Sequence, residues 1–537
     1  MPLEDLAQRR AYNAVSDFVD ANVARGLGDK VAFRDRTRSL TFKELQDRTC
    51  RFARALNALG LKQESRIALL LLDTVDFPVA FWGSIRAGVV CIPLNTLLTA
   101  EQYLYVLDDS RAEALIVSAP LLQTVAPILS KLQRLTSIVV SGGKAQPAQA
   151  GFQQMLSFDE LIARNAADFA TAATISDEVA FWLYSSGSTG EPKGVKHVHS
   201  SLMATAQLYG QQVLGIRDSD VVFSAAKLFF AYGLGNAMSF PMSVGATTVL
   251  LPDRPTVEAV LEVLRRERPT IFCGVPTLYA AMLAHGDIGR GAGSDRLRRC
   301  ISAGEALPAE LGLRWKEAVG VDILDGIGST EMLHIFLSNR PGDIRYGTSG
   351  KPVPGYAAKI VDDNDHELDD GEIGELVIRG PSAAEGYWNQ RGRSRRTFAG
   401  EWTYTGDKYL RDADGYYQYC GRTDDMFKVS GIWVSPFEVE AALASHEAVL
   451  EAAVIGATDE DKLVKPKAYV VLKPGIAADE ALVEALKTHV KAAAGPWKYP
   501  RWVEFRAELP KTATGKIQRF KLRQESAAGA ASAGKAA

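Results

Sequence analysis

The sequence predicts an α/β fold in which a large N-terminal domain of mainly parallel, helix-covered sheets ends in a small β-rich region and precedes a small α+β C-terminal domain. Two observations predict this fold. From about residue 30 to 335, short apolar runs alternate with longer segments of helical periodicity, which is typical of a sheet covered by crossover helices. After residue 345, turns rich in Asp and Gly separate strand-like runs, which indicates hairpins.

Continuously apolar runs predict the buried strands of the first domain. They are too apolar for half-exposed strands and are typical of parallel strands that are covered on both faces. The segment that starts at Pro255 has proline near its first turn and apolar residues at intervals of three and four, which predicts an amphipathic crossover helix. The predicted strands lie at residues 67–72, 137–140, 179–184, 270–273 and 321–324.

The last part of the chain carries weaker but consistent signals. Beyond Asp424 a compact α+β segment begins, with a helix near 436–445 and strands near 452–455 and 468–472. The low-complexity residues 527–537 are expected to form a frayed tail. The hairpin turns of the preceding β-rich region are predicted at 362–365, 369–371 and 412–415, around strands such as 375–379.

Composition excludes several classes of partner. A formal net charge of −3 over 537 residues provides no basic field for nucleic acid or anionic lipid. The apolar stretches fall far short of the ~20 residues of a spanning helix, and the start of the chain does not resemble a secretory signal. We therefore expect a cytoplasmic protein that binds neither nucleic acid nor membrane. The sequence leaves its oligomeric state open, and a homodimer is one possibility.

The cysteines stand singly, without CxxC spacing, which favours buried, reduced thiols at Cys50, Cys91, Cys273, Cys300 and Cys420.

A loop rich in glycine and hydroxyl groups follows the predicted strand at 179–184. Glycines allow backbone amides to approach phosphate oxygens, hydroxyls add donors, and a lysine supplies charge. The loop is not a Walker A loop, because Lys193 stands between Pro192 and Gly194. The residue types alone suit a triphosphate-binding loop or an ordinary Gly/Ser loop. The candidate phosphate contacts are Ser185, Ser186, Gly187, Ser188, Thr189, Gly190 and Lys193.

This loop and five later motifs resemble those of the adenylate-forming superfamily of acyl- and aryl-CoA ligases, amino-acid adenylation domains and firefly-type luciferases. The motifs occur in the superfamily's order and at roughly its spacing. The resemblance implies ATP, Mg²⁺ and coenzyme A as ligands, and two steps in which an acid is adenylated and its acyl group then passes to the thiol. The motifs are SSGSTGEPKG at 185–194, SAGEALP at 302–308, DGIGSTE at 325–331, YTGD at 404–407, GRTDDMFKVSG at 421–431 and PKTATGK at 510–516.

The resemblance also implies roles for single residues around the nucleotide. Thr330 would bind a phosphate oxygen, and the carboxylate of Glu331 would bind Mg²⁺, a cation that prefers hard oxygen ligands. Locally, Ser-Thr-Glu also suits a helix cap, and Thr-Gly-Asp also suits a plain turn. The residues implied at the adenine ring and the ribose hydroxyls are Ala303, Gly304, Glu305, Asp325, Gly326, Asp407 and Arg422.

The resemblance divides the chain at Asp424, which it makes the hinge between domains at 1–423 and 425–537. The small domain would be mobile and would turn about this hinge between the two half-reactions. Lys516 would be the catalytic cation that bridges the carboxylate and the α-phosphate. Without the motifs, Asp424 suits a linker and Lys516 a solvated lysine. The residues implied along the coenzyme A tunnel are Lys428, Ser430 and Gly431.

The superfamily's acyl pocket is implied at residues 227–235 and around the Thr-Glu pair. The segment KLFFAYGLG at 227–235 has aromatic side chains and no aspartate for a substrate ammonium, which favours a small aromatic acid over an amino acid. Together with the phosphate loop, it most resembles the benzoate:CoA ligase branch. The predicted pocket residues are Phe229, Ala231, Tyr232, Gly233, Gly328, His334 and Ile335.

Alternatives of substrate and of class remain open at this point. Hydroxy- or aminobenzoates and coumarate-like acids would fit a similar site. An adenylation enzyme that loads a carrier protein, a luciferase-like oxygenase and a non-catalytic nucleotide-binding relative would share most of the motifs. His197 and His199 follow the phosphate loop, and the sequence assigns them no chemistry.

Overall fold

The chain folds into two compact units, Met1–Ala358 with Ile378–Tyr404 and Lys359–Val377 with Thr405–Ala537. The computed structural model describes residues 11–143, 154–185, 192–286, 288–289, 293–423, 425–429, 432–459, 463–495, 498–511 and 517–533.

The strands are numbered in chain order. They are β1 (Val31–Arg34), β2 (Ser39–Thr41), β3 (Arg66–Leu70), β4 (Val90–Pro93), β5 (Ala114–Ser118), β6 (Ser137–Ser141), β7 (Gln154–Ser157), β8 (Val179–Ser185), β9 (Lys193–Val198), β10 (Val221–Ser224), β11 (Thr247–Val249), β12 (Ile271–Gly274), β13 (Arg299–Ser302), β14 (Ile323–Gly328), β15 (Ile335–Ser338), β16 (Lys351–Pro352), β17 (Ala357–Val361), β18 (Gly374–Arg379), β19 (Gly386–Tyr387), β20 (Phe398–Ala399), β21 (Trp402–Arg411), β22 (Tyr417–Arg422), β23 (Phe427–Val429), β24 (Ile432–Val434), β25 (Val449–Thr458), β26 (Val464–Leu472) and β27 (Trp502–Phe505).

The α-helices are numbered in the same way. They are α1 (Phe42–Ala58), α2 (Asp76–Arg86), α3 (Ala100–Ser110), α4 (Ala119–Val125), α5 (Phe158–Ala163), α6 (His199–Thr205), α7 (Ala231–Leu234), α8 (Phe240–Val244), α9 (Val257–Glu267), α10 (Pro276–His285), α11 (Ala309–Val319), α12 (Arg391–Thr397), α13 (Pro436–Ala444), α14 (Glu480–Ala494) and α15 (Arg519–Ala533). Short π-helical turns and one 3₁₀ turn occur at Ser16–Asp20, Val23–Leu27, Ala206–Gln211, Gly235–Ser239 and Ala126–Lys131.

Two large sheets form the first unit. The nine-stranded sheet has the order β16-β15-β14-β13-β12-β10-β11-β1-β2, and its strands from β14 to β1 are parallel. The eight-stranded sheet has the order β19-β9-β8-β4-β3-β5-β6-β7 and is parallel from β8 to β7. Short antiparallel strands complete both sheets at their edges. The predicted class of fold is therefore confirmed, with two mainly parallel sheets.

Helix signals in the sequence explain where the helices of the first unit begin. Thr41 and Glu44 form a reciprocal capping box at the start of α1. The helix predicted from Pro255 begins at Val257, because the side chain of Thr256 accepts a hydrogen bond from the Ala259 amide and caps it. Its apolar face, which includes Val260 and Leu264, is buried against the nine-stranded sheet.

The second unit has a core of its own. Strands β25, β26 and β27 form a three-stranded sheet, against which α13 and α14 pack through residues such as Leu443, Val454 and Leu486. Most of β17, β18 and β21 and all of β22 also belong to this unit, where β18 lies between β17 and β21 and β22 pairs with β21. The prediction of a frayed tail is wrong for residues 527–533, because α15 continues to Ala533. Alanine has the highest helix propensity of the residues, which explains the continuation.

The two units differ from the predicted domains, because most of the β-rich region belongs to the same unit as the C-terminal residues. Asp424 lies outside the described ranges, and the division of the chain at this residue stays a prediction. The five cysteines are buried and free, which confirms the predicted thiols. In the part of the chain that the structure describes, no helix has the length and apolar character to cross a membrane. The cytoplasmic location stays a prediction.

Candidate active site

Lys193 and Glu331 form an ion pair at the predicted phosphate site. Lys193 is the first residue of β9 and lies opposite Ser185, the last residue of β8, so the connecting loop leaves and re-enters the sheet at neighbouring positions. Glu331 stands in the turn after β14, and its Oε1 lies 2.7 Å from the Lys193 Nζ. The two side chains are 14–15% exposed. The pair thus places opposite charges side by side where a ligand can reach them.

Tyr387 completes this pair, although no motif in the sequence marked it. Its hydroxyl lies 2.8 Å from the Lys193 Nζ and 2.8 Å from the Glu331 Oε1. The Lys193 Nζ also lies 4.3 Å from the centre of the Tyr387 ring, which is a favourable cation–π distance. Tyr387 is separated from Lys193 by 194 residues, so no local signal in the sequence could have joined them.

The environment keeps Glu331 ionised at neutral pH. Burial raises the pKa of the Glu331 carboxyl, but the charge of Lys193 and hydrogen bonds from Lys193 and Tyr387 outweigh burial, and the pKa lies below its ordinary value. An ionised carboxylate is the form that a divalent cation binds.

A buried histidine, His197, forms a hydrogen bond with the backbone of Thr330. The His197 Nε2 lies 2.8 Å from the Thr330 carbonyl oxygen, and since a carbonyl can only accept, Nε2 donates. Burial lowers the pKa of His197 to about 4, so the ring is neutral. The sequence assigned His197 no chemistry, and the structure gives it this supporting contact.

The predicted adenine-site residues lie directly after β13 and within its parallel neighbour β14. Ala303, Gly304 and Glu305 come directly after β13, and Gly304 has a φ of +98°, which favours glycine. Asp325 lies in β14 beside Ser302 and is 4% exposed. Burial raises the pKa of Asp325 to about 8, although a hydrogen bond from the Leu307 amide favours the carboxylate.

Gly326, the next residue of β14, has no room for a side chain. A Cβ there would lie 2.6 Å from the Leu337 carbonyl oxygen of the neighbouring strand β15. The structure thus brings the predicted adenine-site residues together on and after two neighbouring strands, β13 and β14. Their contact with adenine stays a prediction.

The predicted acyl-pocket residues also come together. The His334 Nε2 donates to the Tyr232 carbonyl oxygen at 3.2 Å, and burial lowers the pKa of His334 to about 3. Gly328 pairs with Ile335, and a Cβ on Gly328 would lie 2.5 Å from the His334 carbonyl oxygen. Gly233 is equally confined, with the Lys227 carbonyl oxygen 2.0 Å from where a Cβ would be.

The remaining two pocket candidates adjoin this group in the chain. Phe229 is 4% exposed, and its ring centre lies 4.4 Å from that of Phe230. Ala231 is half-buried at the start of α7. The structure therefore clusters small and aromatic residues here, and their role in binding an acid stays a prediction.

Asp407 and Arg422, the predicted ribose residues, are neighbours in the second unit. They are partners across β21 and β22, and the Arg422 Nη1 donates to the Asp407 Oδ1 at 3.0 Å. Arg422 also donates to the Thr405 carbonyl oxygen at 3.0 Å, which fixes the guanidinium. Their role at the ribose stays a prediction.

Several predicted site residues cannot be placed. The side chain of Lys428 is not described, although its backbone belongs to β23. Those that lie outside the described ranges are Ser186, Gly187, Ser188, Thr189, Gly190, Asp424, Ser430, Gly431 and Lys516.

Two family models match this chain. The AMP-binding enzyme model matches residues 20–388, and the model of the AMP-binding enzyme C-terminal domain matches residues 438–516. The chain is 56% identical, over 95% of its length and 96% of the relative's, to a benzoate–CoA ligase of Thauera aromatica. It is 54% identical, over 98% of its length and 95% of the relative's, to a 4-hydroxybenzoate–CoA/benzoate–CoA ligase of Rhodopseudomonas palustris.

Solved structures show the same likeness. A benzoate CoA ligase from Burkholderia xenovorans is 51% identical with a TM-score of 0.87, covering 95% of this chain and all of that one. The anthranilate CoA ligase AuaEII, solved with anthranoyl-AMP, is 45% identical with a TM-score of 0.92, covering 99% of this chain and all of that one.

Proposed function

The chain belongs to the AMP-binding enzyme family, and we propose that it is an ATP-dependent ligase that joins benzoate to coenzyme A through a benzoyl-adenylate. The products are AMP, pyrophosphate and benzoyl-CoA. The observation that carries this proposal is the Lys193–Glu331 pair, at 2.7 Å, at the end of the predicted phosphate loop. The benzoate–CoA ligases that are 54–56% identical support the choice of acid.

The chemistry explains why such a pair is needed. A carboxylate is a poor electrophile, so the acid must first attack the α-phosphate of ATP. Negative charge accumulates on the phosphates during this displacement, and fixed cations and dipoles stabilise it. Lys193 would bind the triphosphate, with the loop that starts at Ser185. The Thr330 hydroxyl would donate to a phosphate oxygen, while His197 fixes the backbone of Thr330.

The residues present fit a magnesium ion that arrives with ATP. No group of three or more His, Cys, Asp or Glu side chains among the described residues could form an all-protein metal site. Mg²⁺ commonly binds to one or two carboxylates together with substrate phosphates and water. Glu331 is ionised and would supply that carboxylate. When bound, the ion would neutralise phosphate charge.

The remaining roles rest on the position of each residue in its motif. Ala303, Gly304, Glu305, Asp325 and Gly326 would bind the adenine. In the second unit, Asp407 and Arg422 would bind the ribose hydroxyls, and Lys428, Ser430 and Gly431 would line the coenzyme A tunnel. Lys516 would bridge the acid and the α-phosphate during adenylation and leave with its domain about Asp424 before thiol attack.

The proposed acid pocket consists of the cluster around His334 and Tyr232. The neutral His334 ring and the aromatic neighbours offer flat walls to a benzene ring. Residues 227–235 contain no acidic side chain, which disfavours an amino acid. A second acid, 4-hydroxybenzoate, is favoured by the Rhodopseudomonas palustris relative, whose name includes it.

A substrate panel tests the proposal. The purified chain is incubated with ATP, Mg²⁺ and coenzyme A plus benzoate, 4-hydroxybenzoate, 2-aminobenzoate, coumarate, hexanoate or acetate, and the acyl-CoA is measured by liquid chromatography. We expect the highest kcat/KM with benzoate. Preference for hexanoate or acetate would contradict the aromatic pocket. Repeated turnover of benzoate without coenzyme A would contradict a CoA ligase.

A further inference from the structure

The Tyr387 hydroxyl occupies the third corner of a nearly equilateral triangle. Its distances to the Lys193 Nζ and the Glu331 Oε1 are both 2.8 Å, and the third side of the triangle is 2.7 Å. A tyrosine hydroxyl has one proton and two lone pairs. Lys193 can only donate and the ionised Glu331 can only accept, so the hydroxyl accepts from the lysine and donates to the carboxylate. One neutral group therefore satisfies both charges.

The backbone around Tyr387 is built to hold this hydroxyl in place. Strand β19 pairs with β9, the strand that carries Lys193, with Tyr387 opposite Val195. The Tyr387 amide donates to the Ser394 Oγ at 3.0 Å. The Ala384 amide donates to the Glu331 carbonyl oxygen at 2.8 Å, so one short segment holds both the backbone and the carboxylate of Glu331. These contacts fix the backbone on both sides of the three charged and polar groups.

We propose that Tyr387 is a positioning residue for ATP: its hydroxyl holds the Lys193 ammonium and the Glu331 carboxylate in the arrangement that receives the triphosphate and its Mg²⁺. This inference rests on the proposed function and deepens it. In binding MgATP, Lys193 would contact the phosphates and Glu331 would supply a carboxylate to the cation, so the direct ion pair would open. The hydroxyl remains a partner of both charges during this exchange. Without the hydroxyl, neither charge would keep this partner once the ion pair opens, and MgATP would bind less tightly.

The matched variants are Tyr387→Phe and, as a control, Tyr103→Phe. Tyr103 is buried in the same unit, and its hydroxyl donates a hydrogen bond of 2.8 Å to the Asn95 carbonyl oxygen rather than to Lys193 or Glu331. Calorimetric titration with MgATP in the absence of acid measures Kd. A hydrogen bond to a charged group corresponds to a roughly ten- to hundredfold effect. We expect a Kd higher by that factor for Tyr387→Phe, a higher Mg²⁺ concentration for half-maximal adenylation, and a benzoate KM within about twofold of wild type.

A double-mutant cycle separates positioning from a general structural role. Glu331→Gln removes the charge that Tyr387 is proposed to hold, and residues that act through one another have non-additive effects. We expect Tyr387→Phe to change the Kd for MgATP much less in the Glu331→Gln background than in wild type. The same factor in both backgrounds would overturn the proposal, as would an unchanged Kd in the single variant. A comparable loss in Tyr103→Phe would also overturn it.

The experiment separates this inference from the proposed function. If the wild-type chain forms no acyl-adenylate from any acid of the panel, the proposed function fails, and the MgATP titration still tests Tyr387. If the wild type is an active ligase and Tyr387→Phe binds MgATP with wild-type Kd, the inference alone fails. Melting temperatures within a few degrees of wild type show that each variant is folded.

Discussion

Asp325 provides the sharpest test of the electrostatics in the candidate site. It is 4% exposed, and burial raises the pKa of its carboxyl to about 8. We expect Asp325→Asn to be increasingly more stable than the wild type as the pH rises, because asparagine has nearly the same shape and no proton to lose. The difference in unfolding free energy should widen between about pH 4 and pH 8 and become constant above it.

The pKa difference between the unfolded and the folded chain sets the magnitude. In the unfolded chain this carboxyl ionises near pH 3.8, whereas in the folded chain it stays neutral up to about pH 8. A raised folded-state pKa contributes stability that is fully present below the unfolded value and is lost as the pH rises to the folded value. Each pH unit in this window removes about 1.4 kcal/mol, which amounts to about 6 kcal/mol over the whole window.

Melting temperatures of variant and wild type, measured side by side from pH 5 to pH 8.5, provide the assay. Asp220→Asn is a control with the opposite sign. The Asp220 carboxyl is partly buried, which raises its pKa, but hydrogen bonds from Arg298 and Thr270 outweigh burial and leave the pKa below its ordinary value. That variant should be less stable than wild type by a nearly constant amount from pH 5 to pH 8.5, because the Asp220 carboxyl ionises below pH 4 in both the folded and the unfolded chain. A gap for Asp325→Asn that is equal at pH 5 and pH 8 would refute the reasoning.

Three further variants probe the acid, the adenylation step and the second unit. Lys516→Ala should abolish benzoate-dependent pyrophosphate exchange and spare acyl transfer from supplied benzoyl-adenylate; equal loss of both would contradict its assignment. Gly328→Ala places a Cβ 2.5 Å from the His334 carbonyl oxygen and should lower kcat/KM for benzoate at least about tenfold, while Kd for MgATP, measured by calorimetry, stays unchanged. Arg519→Met removes hydrogen bonds of 2.6 and 3.0 Å to Glu440 and should destabilise the second unit by about 3–5 kcal/mol in urea unfolding, with Arg519→Lys restoring only part.

Signals that are local in the sequence predicted much of the fold. The apolar run at 137–140 became β6, and that at 270–273 became β12 within one residue, because continuous burial requires continuous apolar character. The motifs also predicted that Lys193 and Glu331 share one site, and the structure brings them within 2.7 Å.

Contacts between distant parts of the chain were harder to predict. Tyr387 stands in Glu-Gly-Tyr-Trp, a sequence that suggests a short strand and nothing more. Its position beside Lys193 arises from the pairing of β19 with β9, which no periodicity reveals. His197 likewise stands in Val-Lys-His-Val, a run with no catalytic motif of its own, and only the fold brings it to the Thr330 carbonyl oxygen. By contrast, the alanine content of residues 527–533 favours the helix that these residues form, so the prediction of a frayed tail is wrong there for a reason that is local in the sequence.

The position of β19 at the edge of the eight-stranded sheet has a consequence for synthesis of the chain. Strand β9 ends at Val198, and β19, which covers its outer edge, begins at Gly386. At about 5–20 residues per second, the ribosome takes roughly 10–40 s to make the intervening chain. During that interval the edge of β9 presents unpaired backbone groups, and such edges attract other strands. The strand that carries Tyr387 into the proposed nucleotide site would therefore also end a period of exposure to aggregation.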